Sequence, residues 1–93
     1  MKNLGLDDFS GSLGEEWRME AGDQAWPAEL IDASPLAESG REGGSFRLEF
    51  RGPADPVLPQ GTYTFRRDET AHDIFVCPIG RDQAGTRYEA IFY

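Results

Sequence analysis

Two segments of the chain alternate apolar and polar residues with a period of two. In SFRLEFR (45–51), three apolar residues alternate with charged ones, and GTYTFRR (61–67) continues the pattern with two aromatic residues. Successive side chains of a strand point to opposite faces, so this alternation predicts half-buried strands with an aromatic inner face and a charged outer face. The predicted interior residues are Phe46, Leu48, Phe50, Tyr63 and Phe65.

The other segments are consistent with short strands joined by turns rich in glycine and proline. Leu6, Phe9 and Leu13 are spaced by three and four residues, which predicts one or two helical turns over 6–12. Strands are predicted over 16–20, 26–33, 73–78 and 86–93, with connections at 67–72 and 80–85 and loops at 34–44 and 52–61. About six such strands predict one mainly β domain over 1–93, an antiparallel barrel or sandwich with a short N-terminal helix.

The segment 73–78 differs from the others because both of its faces are apolar. Ile74 and Val76 occupy one face, and Phe75 and Cys77 occupy the other. A strand of this type is predicted to lie centrally or to be covered on both sides. The same placement assigns Cys77 to the core, where burial leaves a thiol inert as a nucleophile.

Charge is unevenly distributed along the chain. The net charge is −8, of which residues 1–42 contribute −7 and residues 43–93 contribute −1. Proteins that bind nucleic acid are normally basic, so DNA or RNA is not expected as a partner. The acidic half would attract a basic protein surface, or it serves solubility alone.

Cysteine count and hydropathy set the expected compartment. One cysteine excludes an internal disulfide, and no apolar run approaches the roughly 18 residues of a membrane span. The opening MKNLGLDDFSGSLGEEW contains no apolar signal core. A cytoplasmic protein without a membrane partner is therefore expected.

Several stretches resemble an uncharacterised family of small bacterial proteins of about this length. They are FRLEFRGP, LPQGTYTF, IFVCPIG, YEAIFY and the opening DDFSGSLGEEW. The resemblance covers nearly the whole chain, is most specific at 58–65 and 88–92, and brings no assigned activity and no catalytic residues. It implies that some members accompany phage-tail-like proteins, and hence a structural or assembly role.

Residues suited to catalysis or metal binding are few. Asp73 follows His72, the only histidine, but adjacent residues of a strand face opposite sides, so a His–Asp dyad is not expected. Asp68, Glu69 and His72 match no known spacing of metal ligands, and the sequence contains no GxSxG, GxGxxG or Walker motif. No catalytic residue, metal or cofactor is predicted, and a hydrolase dependent on His72 is the remote alternative.

Arg47, Arg66 and Arg87 fall on predicted outward positions of three strands. If those strands are neighbours, the arginines form a stripe suited to an anion or a carboxylate. Glu49 and Glu89 share the outer face, so cross-strand ion pairs are the simpler interpretation.

Stiff loops and aromatic side chains supply the candidates for partner binding. A stiff loop loses little entropy when it binds, and aromatic residues are favoured at the centres of interfaces. The candidates are Arg51, Pro53, Leu58, Pro59, Gln60, Trp26 and Tyr93. Core burial is the simpler interpretation for Trp26, and a turn that sets strand register is the simpler one for 58–63.

The preferred hypothesis is a non-enzymatic binding or assembly protein, associated with phage-tail-like proteins, that acts through protein–protein contacts. The alternative is a barrel that binds a small ligand or an anion. A protein partner is expected, and a homodimer would form through an open edge of the sheet.

Overall fold

A computed structural model describes residues 5–36 and 45–92, which fold into a short helix and six strands. The helix is α1 (Asp7–Ser10), and the strands are β1 (Glu16–Ala21), β2 (Gln24–Pro35), β3 (Phe46–Gly52), β4 (Gly61–Arg67), β5 (Thr70–Asp82) and β6 (Gly85–Phe92). The predicted fold class is confirmed, and of the two predicted architectures the barrel is the one observed.

The strands form a closed antiparallel barrel in the order β1–β2–β3–β6–β5–β4. Closure is made by β1 and β4, which pair over residues 18–20 and 64–66. Each strand therefore has a hydrogen-bonded neighbour on both sides. The described strands leave no open edge of the kind on which a homodimer was expected, because closing a sheet removes its edges.

The interior residues predicted from the alternating pattern are confirmed. Phe46, Leu48, Phe50, Tyr63 and Phe65 are each at most 7% exposed. The rings of Phe50 and Phe65, from strands not adjacent in the barrel, have centroids 4.4 Å apart. The interior is thus held by aromatic contacts that cross the barrel, which add to the free energy gained by burying apolar area.

The barrel has two different ends, here called the helix end and the loop end. The helix end carries α1 and the turn at 68–69, and the loop end carries the turns at 22–23 and 83–84 and the loop 53–60. Strands β3 and β4 lie opposite each other in the strand order, so loop 53–60 must cross the loop end to join them.

Phe9 closes the helix end. It is fully buried, and its ring centroid lies 5.5 to 6.2 Å from four other rings. These rings belong to Trp17, Phe46, His72 and Phe92. The short predicted helix is therefore confirmed, and its structural role is to place one aromatic side chain over the open end of the barrel.

Strand β5 is longer than predicted. It spans Thr70–Asp82, so most of the residues predicted to be connections at 67–72 and 80–85 lie in strands joined by two-residue turns. Gly85 makes the second turn possible, since it adopts φ 145° and a Cβ there would overlap the carbonyl oxygen of Gly52. Strand β2 also continues through Pro35, while 37–44 of the predicted loop lie outside the described residues.

We expect Phe9→Ala to lower the free energy of unfolding by about 3–5 kcal/mol, because it removes a fully buried ring and leaves a cavity. Leu13→Ala is the matched control, since Leu13 follows the same helix but is 50% exposed, and it should change stability by less than about 0.5 kcal/mol. Urea unfolding of both variants measures the difference. Equal losses would show that Phe9 does not close the barrel.

Candidate functional site

Loop 53–60, which holds four of the predicted partner-binding residues, is tied to the barrel interior. Leu58 is only 8% exposed, and its backbone N–H donates a hydrogen bond of 2.9 Å to the hydroxyl of Tyr88. The hydroxyl of Tyr63 donates to the Pro59 carbonyl at 2.6 Å. Leu58 thus closes the loop end and is not available to a partner, whereas Pro59 and Gln60 are exposed.

Arg51 and Pro53 lie together at the rim of the loop end. They line a surface depression of about 350 Å³ with Glu16 and Glu29. Within the described ranges, the Nε of Arg51 is buried and has no hydrogen-bond partner. Two carboxylates line the depression together with this guanidinium, so the net charge of the lining does not favour binding of an anion.

The outer face of β2, β3 and β6 carries a connected ion-pair network centred on Arg47. Its guanidinium contacts Asp32, Glu49 and Glu89, each at 2.9 Å. Arg87 adds a contact of 3.3 Å to Glu49, whose side chain is only 11% exposed. The hydrogen bond to Glu49 is the main reason that the pKa of Arg47 is raised above its ordinary value, and Glu89 adds to this effect.

The three arginines predicted as an anion site are not brought together. Arg47 and Arg87 lie on the neighbouring strands β3 and β6, where three carboxylates surround them. Arg66 lies on β4, which neighbours neither strand, and contacts Glu20 of β1 at 3.2 Å. The cross-strand ion pairs proposed as the simpler interpretation are present, and they compensate the positive charge that an anion would need.

A cleft of about 530 Å³ opens where β1 and β4 diverge at the helix end. Arg67 contacts Glu15 across the gap at 3.0 Å, and Glu16, Arg18, Arg66 and Asp68 also line the cleft. Trp17 also lines the cleft, and its buried indole N–H has no hydrogen-bond partner in the part of the chain that is described. The cleft is therefore lined by acidic and basic residues in equal number, a mixed charge that selects neither an anion nor a cation.

His72 lies inside the helix end. Its ring centroid is 5.5 Å from that of Phe9 and 6.1 Å from that of Trp17. Asp73 points to the other face, as expected, where it accepts a hydrogen bond of 2.7 Å from Thr64. Among residues 5–36 and 45–92, no group of three or more His, Cys, Asp or Glu side chains is placed to hold a metal ion.

The outer face of β5 corrects the prediction that this strand is covered on both sides. Phe75 is 54% exposed and Ile79 is 43% exposed. Cys77, predicted to lie in the core, is on the same outer face, half-buried, with its Sγ 3.7 Å from Oε1 of Gln60. Phe75, Cys77 and Ile79 form an apolar surface that we call the β5 stripe.

The reason for this correction is that a closed barrel buries one face of each strand. Ile74 and Val76 fill the interior side of β5, so Phe75 between them and Cys77 after them must face outward. Ile79 joins the stripe because it lies two residues beyond Cys77 on the same face, where the pairing of β5 with β6 shifts by one residue between Pro78 and Gly80. In IFVCPI (74–79), apolar residues occupy both faces of the strand. In a closed barrel only one of these faces can be interior, so this pattern indicates an exposed apolar surface on the other face.

The two aromatic candidates for partner binding differ in what the structure shows. Trp26, at the start of β2, is half-buried and packs partly against the core, next to Met19 in the β1–β2 pairing. Tyr93 lies outside the described residues.

Together these features define a small, closed antiparallel β-barrel with an aromatic interior, an ion-paired outer face and an apolar stripe on β5. The chain belongs to the family described as a domain of unknown function, DUF6916, whose model matches residues 4–92. The predicted resemblance to an uncharacterised small family is thereby confirmed. No curated protein and no solved structure matches the chain.

In the ranges 5–36 and 45–92, no helix has the length and apolar character required to cross a membrane.

We expect Arg47→Met to lower the free energy of unfolding by about 1–3 kcal/mol, because it leaves the largely buried Glu49 poorly compensated. Arg66→Met removes an exposed pair and should cost less than about 1 kcal/mol. The double variant Arg47→Met, Glu49→Met should recover part of the loss, and urea unfolding of the wild type, the single variants Arg47→Met, Glu49→Met and Arg66→Met, and the double variant measures it. Purely additive losses would contradict the network.

We expect stability to fall as the pH rises above the ordinary tyrosine pKa of 10.0, because burial raises the pKa of Tyr63, and nearby Tyr88 adds to this effect. The unfolded chain then loses the Tyr63 proton more readily than the folded one, so stability is present below that pH and lost above it. Urea unfolding between about pH 8 and 11 should show a shallower decline for Tyr63→Phe. An identical slope in both proteins would exclude Tyr63 as the cause.

Proposed function

We propose that this protein is a non-enzymatic binding or assembly module that contacts a protein partner through the β5 stripe. The observation that carries the proposal is the exposure of Phe75 and Ile79, two large apolar side chains on one face of one strand. A contiguous exposed apolar patch on a small globular domain commonly marks a protein interface, and aromatic residues are the usual anchors.

The surroundings of the β5 stripe support a protein partner. Gln60, one of the predicted partner-binding residues, borders it through its contact with Cys77. On the neighbouring strand β4, Thr62 lies directly opposite Phe75. An apolar centre with hydrogen-bonding groups beside it has the composition of an interface core and its rim.

The alternative functions have less support in the described residues. The interior positions that a small ligand would occupy hold aromatic side chains, and the arginines that an anion would need are paired with carboxylates. His72 packs against aromatic rings, and the neighbouring Asp73 faces away from it. A binding role therefore accounts for the outer surface without requiring a reactive group.

The proposal extends to an accessory role in a phage-tail-like assembly, which the family resemblance implied, and to a cytoplasmic location. An assembly protein acts through surfaces, and the β5 stripe supplies one. A single cysteine suits a reducing compartment, because it leaves no partner within the chain for a disulfide.

We expect a photo-reactive phenylalanine analogue at position 75 to form a covalent adduct with a defined protein when native cells are irradiated. The control places the same analogue at Glu29, which is exposed on β2, opposite β5 in the strand order. Mass spectrometry of the adducts should identify a protein joined at position 75 and none at position 29. No adduct at 75, or the same adducts at both positions, would contradict the proposal.

A further inference from the structure

We propose that the barrel opens locally where β1 pairs with β4, and that the ion pairs of Glu20 hold this pairing closed. The pairing joins residues 18–20 to residues 64–66, and we call it the closing seam. The inference goes beyond the proposed function, because it concerns how the barrel opens and does not depend on what the β5 stripe binds.

The closing seam is the shortest pairing among the described strands. It joins three residues of each strand, whereas each of the other pairings joins five or more. Beyond Arg18 and Arg66 the two strands separate, and the cleft of about 530 Å³ opens at the helix end. A region with few backbone hydrogen bonds has a low free energy of local opening. The closing seam is therefore the part of the barrel expected to open first.

Trp17, beside the closing seam, adds to this expectation. Its buried indole N–H has no hydrogen-bond partner in residues 5–36 and 45–92, and its side chain lines the cleft. A buried donor without a partner raises the free energy of the state that buries it. Opening of the seam admits water to this N–H, so the unpaired donor favours the open state.

Two arginines lie directly opposite each other across the closing seam. Arg18 of β1 and Arg66 of β4 are partners in the register, and both are exposed. Like charges in directly opposite positions destabilise a pair of antiparallel strands. Oε2 of Glu20 lies 3.1 Å from Nε of Arg18 and 3.2 Å from Nε of Arg66. One carboxylate thus bridges two guanidinium groups that otherwise repel each other across the seam.

The other interactions near the closing seam have different roles. Met19 and Phe65 are partners on its inner face, and both are buried, so opening would expose apolar area. Arg67 contacts Glu15 across the cleft, outside the paired residues, and both side chains are partly exposed. Apolar burial thus favours the closed state, and Glu20 determines how the opening depends on charge.

Opening of the closing seam would change what the protein presents to other chains. In the open state, β1 and β4 become the two edge strands of a six-stranded sheet. Edge strands carry unpaired N–H and C=O groups, to which an extended segment of another chain adds as a further strand. The ion pairs of Glu20 therefore control whether the barrel exposes an edge.

Amide hydrogen exchange of the full chain, followed by NMR, tests where the barrel opens. Amides of the closing seam should exchange at least about tenfold faster than those of the pairing between β3 and β6. Glu20→Gln should speed exchange at the seam a further three- to tenfold or about that, because it removes two attractions and leaves the repulsion.

Glu16→Gln is the matched control for Glu20→Gln. It makes the same change of charge on the same face of β1, but Glu16 is a partner of Glu29 on β2 and lies outside the closing seam. It should not speed exchange at the seam. Equal exchange at the two pairings of the wild type, or equal acceleration by both variants, overturns the inference.

Salt distinguishes an effect of charge from an effect of packing. Raising the ionic strength from about 0.01 M to about 1 M shortens the screening length from about 30 Å to about 3 Å. Glu16→Gln and Glu20→Gln have the same net charge, so their difference in exchange at the seam isolates the ion pairs of Glu20. This difference should shrink to less than about twofold at the higher ionic strength. A difference that stays the same would show that Glu20 does not act through its charge.

Removal of one arginine tests the repulsion across the closing seam. Adding Arg66→Met to Glu20→Gln should slow exchange at the seam again, because Arg18 then has no like charge opposite it. A double variant that exchanges as fast as Glu20→Gln, or faster, would show that the two arginines do not repel each other and would overturn the role assigned to Glu20.

Discussion

Closure of the sheet by β1 and β4 is the constraint on which the rest of the structure depends. The pairing is short, covering residues 18–20 and 64–66, but it gives every strand two hydrogen-bonded neighbours. A closed barrel has one interior, so each strand buries one face and presents the other to solvent. Both ends must then be closed by other parts of the chain, which is the role of Phe9 at the helix end and Leu58 at the loop end.

The same constraint explains the ion-pair network on the outer face. Glu49 points outward from β3, yet its side chain is 11% exposed because arginine side chains cover it. A carboxylate removed from water requires compensation, and Arg47 and Arg87 supply it from the same and the neighbouring strand. These arginines therefore stabilise the outer face, and their positive charge is already neutralised before any ligand arrives.

Local patterns predicted the strands that are amphipathic, and they failed where contacts between distant segments decide the outcome. The alternation at 45–51 and 61–67 predicts β3 and β4 nearly to the residue, because one face is buried and the other is charged. For 73–78 the same reasoning predicted that both apolar faces of the strand are buried. Both faces are buried in a sheet that other layers cover, but a strand of a closed barrel buries only one face. The burial of Leu58 was equally hidden, because it requires β3 and β4 to lie on opposite sides of the barrel.

Two independent physical effects coincide on the outer face of β5. Closure removes backbone edges from the described strands, so association has to use side chains on a barrel face. Burial of apolar area favours the face that carries Phe75 and Ile79. Electrostatics favours the same face, since charges beside it are absent or paired, whereas the depression at the rim of the loop end is lined by Glu16 and Glu29. For an acidic chain, the free energy of contact is most favourable where both effects act in the same direction, which is at the β5 stripe.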